Sequence, residues 1–151
     1  MRDTRFIAEH RGGPLKKEQH YQLMEWALGC SQHVLPFLER KVDSRLIHAL
    51  DVARRWPLGE AAVGEAIKAS VGAHAAARES DGNVAVFVAR SVGQAVATAH
   101  MADHSLGAAW YALKAVMAAG GSVDAEREWQ DSCLPPDIKD LVLSARFNRK
   151  I

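Results

Sequence analysis

Apolar residues recur along this chain at the three- and four-residue spacing of amphipathic helices, and no credible strand pattern interrupts them. Residues that begin or end helices divide the pattern, among them Pro36, Asp81-Gly82, Gly120-Gly121 and Pro135-Pro136. Together they predict about seven helices, over residues 18–33, 44–56, 60–79, 83–102, 106–119, 122–129 and 137–146. The fold class expected is therefore all-α.

The most informative segment is residues 82–120, which are rich in Ala, Val and Gly and contain Arg90, Asp103 and Lys114 as their fixed charges. A helix so poor in charge requires other helices around it, so residues 83–102 are expected to be the most buried element. An unbroken helix to residue 119 would be roughly 55 Å long, which is too long for a domain of this mass. A break is therefore predicted at residues 103–105, where Asp and Ser can cap helices.

The length of 151 residues fits one domain with one core. The sequence predicts a polar N-terminal arm over residues 1–17 and an all-helical domain over residues 18–151. No repeat of fixed period is visible, which favours a compact single-domain bundle with a charge-poor central helix over a solenoid.

The charge balance argues against two classes of partner. A net charge of +1 gives no basic excess for binding nucleic acid. Arg90 and His100 lie within the longest apolar stretch, which is therefore expected to be a core helix and not a membrane span. The first thirteen residues alternate charges and do not resemble a signal peptide, and Cys30 and Cys133 fit two free thiols in a reducing cytosol. A cytoplasmic location is expected.

Three histidines fall on faces that the pattern turns inward. On the third helix, His74 lies opposite Glu65 and Lys68 and on the same side as an aliphatic stripe, so it is expected to face the core. The stripe consists of Val63, Ile67 and Val71. On the central helix, a stripe of valines leads to His100, and His104 follows one turn later.

These histidines allow two interpretations. His100 and His104 have the i, i+4 spacing at which two imidazoles can share a metal ion, with His74 or Asp103 as a further ligand. However, no glutamate follows the first histidine, and a helix break at residue 103 would destroy the shared face. Structural histidines with no metal and no cofactor are the preferred interpretation. A metal-dependent enzyme or sensor using His74, His100 and His104 remains the alternative.

Four stretches of the chain resemble the all-helical Imm-5-like family of putative bacterial immunity proteins. They are WALGCSQHVLPFLE (26–39), GEAAVGEAIKASVGAHAAAR (59–78), VGQAVATAHMADHSLGAAWYALKAV (92–116) and LPPDIKDLVLSA (134–145). The resemblance implies a protein that binds and blocks a toxin encoded beside it, with no catalytic set to carry over. It also implies a buried polar cluster at His74, Arg78, Gln94, Thr98, His100 and His104, to which no chemistry is assigned.

An acidic strip over residues 124–140 suggests where such a partner could bind. Six acidic residues there outnumber two basic ones: Asp124, Glu126, Glu128, Asp131, Asp137 and Asp140 against Arg127 and Lys139. With Trp129 among them, Glu126, Glu128 and Asp131 form a candidate contact for a basic toxin. The alternatives are a solvated helix face with Trp129 docked on the core, and a homo-oligomer formed through the Ala-rich helices.

Overall fold

Seven α-helices form the body of the protein, and the computed structural model describes residues 2–151. They span Lys17–Val34 (α1), Ser44–Arg55 (α2), Val63–Arg78 (α3), Asn83–Ala97 (α4), His104–Ala118 (α5), Val123–Ser132 (α6) and Pro136–Arg149 (α7). Residues 2–151 contain no β-strand, so the predicted all-α class is confirmed. None of the helices in this part of the chain has the length and apolarity needed to cross a membrane.

The starts of three helices follow from local capping chemistry. The Asp43 carboxylate accepts a hydrogen bond from the Arg45 amide at 2.8 Å, and the Ser122 hydroxyl accepts one from the Ala125 amide at 3.1 Å. Both bonds satisfy amides that lack a partner in the first turn of a helix. Pro136 opens α7 from the first helical position, where the missing N–H costs nothing. These predicted boundaries are confirmed.

The central helix α4 lies between α3 and α5 and also packs on α1 and α2. Only Asn83 of its residues is exposed, whereas Val88, Val92 and Val96 are fully buried, as the charge-poor pattern predicts. The helix ends at Ala97 and not near residue 102. The reason is a tertiary hydrogen bond: the ring of His20 bonds the carbonyl oxygen of Thr98 at 2.6 Å, and a continuing helix would need that carbonyl.

The orientation predicted for α3 is wrong. Val63, Ile67 and Val71 are 40, 43 and 63 % exposed, and the core side of the helix consists mainly of alanines. The reason is the short distance between α3 and α4, which is shown by the Ser70 hydroxyl donating to the Gly93 carbonyl oxygen at 3.0 Å. Backbones that approach so closely leave no room for branched side chains between them, so the larger residues face outward.

The first residues described pack on the helical body. Short 3-10 turns at Thr4–Phe6 and Glu9–Arg11 place Phe6 and Leu15 in the core, where they are 4 and 2 % exposed. The Arg2 guanidinium donates two hydrogen bonds of 3.0 Å to the Asp103 carboxylate. The segment predicted as a polar arm thus contributes apolar side chains to the core.

A buried arginine ties three helices together. Arg146 of α7 is 3 % exposed and donates to the Gln130 side-chain oxygen at 2.7 Å and to the Asp131 carboxylate at 3.1 Å, both on α6. The indole N–H of Trp26 on α1 donates to the Gln130 carbonyl at 2.8 Å. Since an unpaired buried charge is costly, this network fixes the position of α7 against α1 and α6.

We expect Val88→Asp to lower the free energy of unfolding by about 4 kcal/mol, because it buries an unpaired carboxylate in the core. The matched control is Val71→Asp, which makes the same change at an exposed helical position and should cost less than about 0.5 kcal/mol. Urea unfolding followed by far-ultraviolet circular dichroism measures both. Equal stabilities for the two variants would mean that Val88 does not lie in the core.

Candidate functional site

Four polar side chains from three helices form two neighbouring hydrogen-bonded pairs, which we call the polar row: His74 of α3, Arg90 and Gln94 of α4, and His104 of α5. The Arg90 guanidinium donates to Nδ1 of His74 at 2.8 Å. Nδ1 of His104 donates to the side-chain oxygen of Gln94 at 2.8 Å. Arg90 and Gln94 are one helical turn apart, so the two hydrogen-bonded pairs lie side by side on α4.

Two glycines provide the space for this row. A Cβ atom placed on Gly93 would lie 2.7 Å from Nε2 of His74, and one on Gly107 would lie 2.7 Å from the side-chain oxygen of Gln94. Real Cβ contacts are not that short, so any larger residue would displace the side chain above it. Glycine at these positions is therefore required for the present arrangement of the polar row.

The environment keeps the imidazoles of the row neutral. Burial lowers the pKa of His74, and the positive charges of Arg90 and Arg78 lower it further. Burial also lowers the pKa of His104. A neutral His74 can accept the hydrogen bond from Arg90, which a protonated ring cannot do. The guanidinium is thus held in place by a group that carries no opposing charge.

The structure brings together half of the cluster that the family resemblance implies. His74, Gln94 and His104 belong to the polar row, and the ring centroid of His100 lies 5.3 Å from that of His104. Thr98 is fully buried just after α4, and its hydroxyl donates to the Gln94 backbone carbonyl at 3.3 Å. Arg78 is exposed at the end of α3.

Arg90 was not among the residues singled out from the sequence as a site. The available signal was its position as the sole charged residue of α4. What the sequence does not reveal is the partner, because pairing with His74 depends on the register between α3 and α4.

Among residues 2–151, no group of three or more His, Cys, Asp or Glu side chains is placed to hold a metal ion. His104 uses Nδ1 to bond Gln94, and Asp103 pairs with Arg2. The three-histidine arrangement of the alternative interpretation thus has no counterpart in this part of the chain.

The acidic strip lies on α6 and the start of α7, but two of the three carboxylates proposed as a contact, those of Glu126 and Asp131, have partners in other helices of the fold. Glu126 is 8 % exposed and accepts a hydrogen bond from Nδ1 of His33 at 2.7 Å. Asp131 pairs with Arg146, and the indole of Trp129 stacks on the His33 ring with centroids 3.5 Å apart. Glu128 remains exposed. Partner binding by this group stays a prediction.

The sequence also did not reveal a surface cleft of about 510 Å³. It lies between the segment that joins α1 to α2 and the turn that joins α3 to α4. Apolar side chains such as Phe37 and Val84 line it together with charges of both signs, including Lys41, Glu79 and Asp81. Residues that end helices predict both bordering turns from the sequence. How close the two turns lie to each other depends on the tertiary fold.

Comparison with protein families finds a model described as "Imm-5 like putative immunity protein" that matches residues 13–137. This range includes all of α1 to α6 and every member of the polar row. No curated protein and no solved structure matches the chain.

We expect stability to fall as the pH decreases from about 7.5 to about 5.5, because the unfolded chain binds protons that the folded chain excludes. Burial lowers the pKa of His20, His74 and His104 in the folded state. Their contribution is therefore present above the ordinary histidine pKa of 6.5 and is lost below it. Each excluded proton adds a slope of at most about 1.4 kcal/mol per pH unit.

Urea unfolding across this pH range measures the slope. His20→Gln, which retains a donor for the Thr98 carbonyl, should reduce it, whereas the exposed His48→Gln should leave it unchanged. Stability that is constant or increases on acidification would contradict the assigned environments.

We expect purified protein to carry no stoichiometric transition metal, since residues 2–151 place no group of three or more His, Cys, Asp or Glu side chains around one point and Asp103 is held by Arg2. Elemental analysis of protein prepared without chelators provides the measurement. One zinc, iron or manganese ion per chain, lost on His100→Ala or His104→Ala, would reverse this expectation and favour metal-assisted hydrolysis.

Proposed function

The chain belongs to the Imm-5 like family of putative immunity proteins, and from this premise we propose that it neutralises a cognate bacterial toxin by binding it directly, with no turnover of its own. Family membership is the observation that carries the proposal, because an immunity protein acts on another protein. The toxin is proposed to be a domain encoded near this gene, and the complex is proposed to form in the cytoplasm.

The form of the molecule supports a binding role. Its helices are held by tertiary bonds such as those of Arg146 and His20, so a surface made of them is already ordered before a partner arrives. Binding by a preformed surface loses little conformational entropy, which favours a tight complex. A stable one-to-one complex would block a toxin without any chemical step.

The acidic strip is retained as one candidate contact. Since Glu126 and Asp131 are used inside the fold, the part of it that can meet a basic partner is centred on Glu128 and on the exposed edge of Trp129. Charge reversal to test this surface should therefore be confined to Glu128. Changes at Glu126 or Asp131 would also disturb His33 or Arg146.

Co-expression with the neighbouring toxin domain tests the proposal. We expect the wild-type protein to restore growth and to co-purify with the toxin in a stable complex, because the toxin is proposed to be blocked by binding alone. An inactive toxin variant should co-purify equally well, since the immunity protein is proposed to recognise its surface and not its activity.

Val88→Asp serves as a control in which rescue and co-purification should both fall because the folded state is destabilised. If the wild-type protein neither restores growth nor co-purifies with any toxin domain encoded beside it, the immunity proposal fails.

A further inference from the structure

We propose that the outward face of α3, α4 and α5 is the surface that docks the partner protein, and that it receives an acidic, partly apolar segment with a carboxylate seated against Arg90. This inference rests on the proposed function and specifies the chemistry of the contact. We call the surface the Arg90 face and define it by its residues: Ile67, Val71, His74, Arg90, Gln94, Trp110 and Lys114.

Arg90 is the centre of this face because it is an oriented cation whose charge is not neutralised. It is half-buried, and His74 fixes one end of the guanidinium at 2.8 Å. None of the ion pairs formed within residues 2–151 includes it. Because a guanidinium presents five donors in a rigid fork, the remaining N–H groups suit a carboxylate oxygen pair.

On one side of Arg90, α4 and α5 present a group of aromatic rings with a second cation. Phe87 precedes Arg90 by one helical turn, and the Lys114 ammonium lies 5.1 Å from the Phe87 ring centroid and 4.4 Å from that of Trp110. Trp110 is 37 % exposed. Tryptophan and arginine are the residues most enriched among those that dominate binding energy at protein interfaces.

On the other side, α3 presents the aliphatic residues that close packing keeps out of the core. Ile67, Val71 and His74 fall within about 60° of one another around the helix axis at 100° per residue. The first two are 43 and 63 % exposed. Exposed apolar side chains gathered beside cations are typical of a binding surface and not of a merely solvated helix.

The charge balance identifies the kind of segment that fits. The fixed charges within the Arg90 face are those of Arg90 and Lys114, and the one acidic residue on α3, α4 and α5 is Glu65. The carboxylate of Glu65 faces α2, where it lies 3.8 Å from the Arg55 guanidinium. Complementary potentials favour an acidic partner and accelerate its association.

A second copy of this chain fits the Arg90 face poorly. A two-fold dimer pairs the same patch on both subunits, so the basic patch of Arg90 and Lys114 would meet an equally basic patch that supplies no carboxylate. Like charges placed opposite one another at an interface are destabilising. The acid-free surface therefore favours a different protein that supplies the carboxylates.

The first experiment measures affinity for the neighbouring toxin domain by calorimetry, with wild-type protein and two charge-matched double variants. Arg90→Glu with Lys114→Glu should weaken binding by about 100-fold or more, since it replaces two central attractions by repulsions. Lys16→Glu with Lys139→Glu removes the same charge from exposed positions outside the face and should change affinity less than about 3-fold.

Two further variants separate contact from folding. Arg90→Gln keeps a donor for His74 and should weaken binding without repulsion, while Trp110→Ala should mainly accelerate dissociation. Thermal melting of every variant checks that the fold persists. If toxin binding survives the Arg90 and Lys114 reversal but is lost with Glu128→Lys, the Arg90 face is wrong and the contact lies on α6.

The second experiment does not depend on the toxin. We expect a synthetic amphipathic helical peptide with leucines on one face and glutamates on the other to shift amide and indole resonances of ¹⁵N-labelled protein at Arg90, Gln94 and Trp110. The same peptide with lysines in place of glutamates should not. Shifts located elsewhere, or equal shifts with both peptides, would overturn the inference. Failure of the toxin to bind wild-type protein, with the peptide result intact, would instead count against the proposed function.

Discussion

The close approach of α4 to its neighbours is the constraint on which the rest of the structure depends. Ser91 shows this approach, because its hydroxyl lies 2.8 Å from both the Ala108 carbonyl oxygen of α5 and the Ser31 hydroxyl of α1. A serine can bridge helices in this way only if their backbones nearly touch. Alanine, serine and glycine therefore predominate on the faces between α3, α4 and α5, with the valines of α4 as the larger side chains among them.

This constraint divides the apolar interior into unequal parts. Around α2, α3 and α4 the core is built mostly from alanines, which bury little area per residue. Large side chains are concentrated where α1 meets α5, α7 and the N-terminal turns, and include Leu23, Trp26, Leu106 and Ile138. The Arg146 network lies in this second region. Loss of a large side chain there removes more buried area than loss of any alanine on α3.

Features set by local chemistry could be predicted from the sequence, and features set by contacts between distant segments could not. The starts of α2 and α6 follow the predicted bounds because capping by Asp43 and Ser122 depends on the next few residues alone. The end of α4 depends on His20, which is distant in the sequence. The orientation of α3 depends on how near α4 lies, because isoleucine is normally buried in preference to alanine but does not fit between two helices this close. At the site, the family resemblance identified His74, Gln94 and His104 from the sequence. Their hydrogen bonds, and the space that two glycines leave for them, depend on the packing of distant segments.

The same packing accounts for the charge of the Arg90 face. Because α4 packs on four other helices, few of its positions face outward, and the fixed charges on α4 and α5 are Arg90 and Lys114 with no carboxylate. A carboxylate at position 74 would orient Arg90 and also neutralise it. A histidine whose pKa is lowered by burial orients the guanidinium and leaves its charge intact. The counter-charge that Arg90 lacks within the described fold must then come from solvent ions or from a partner.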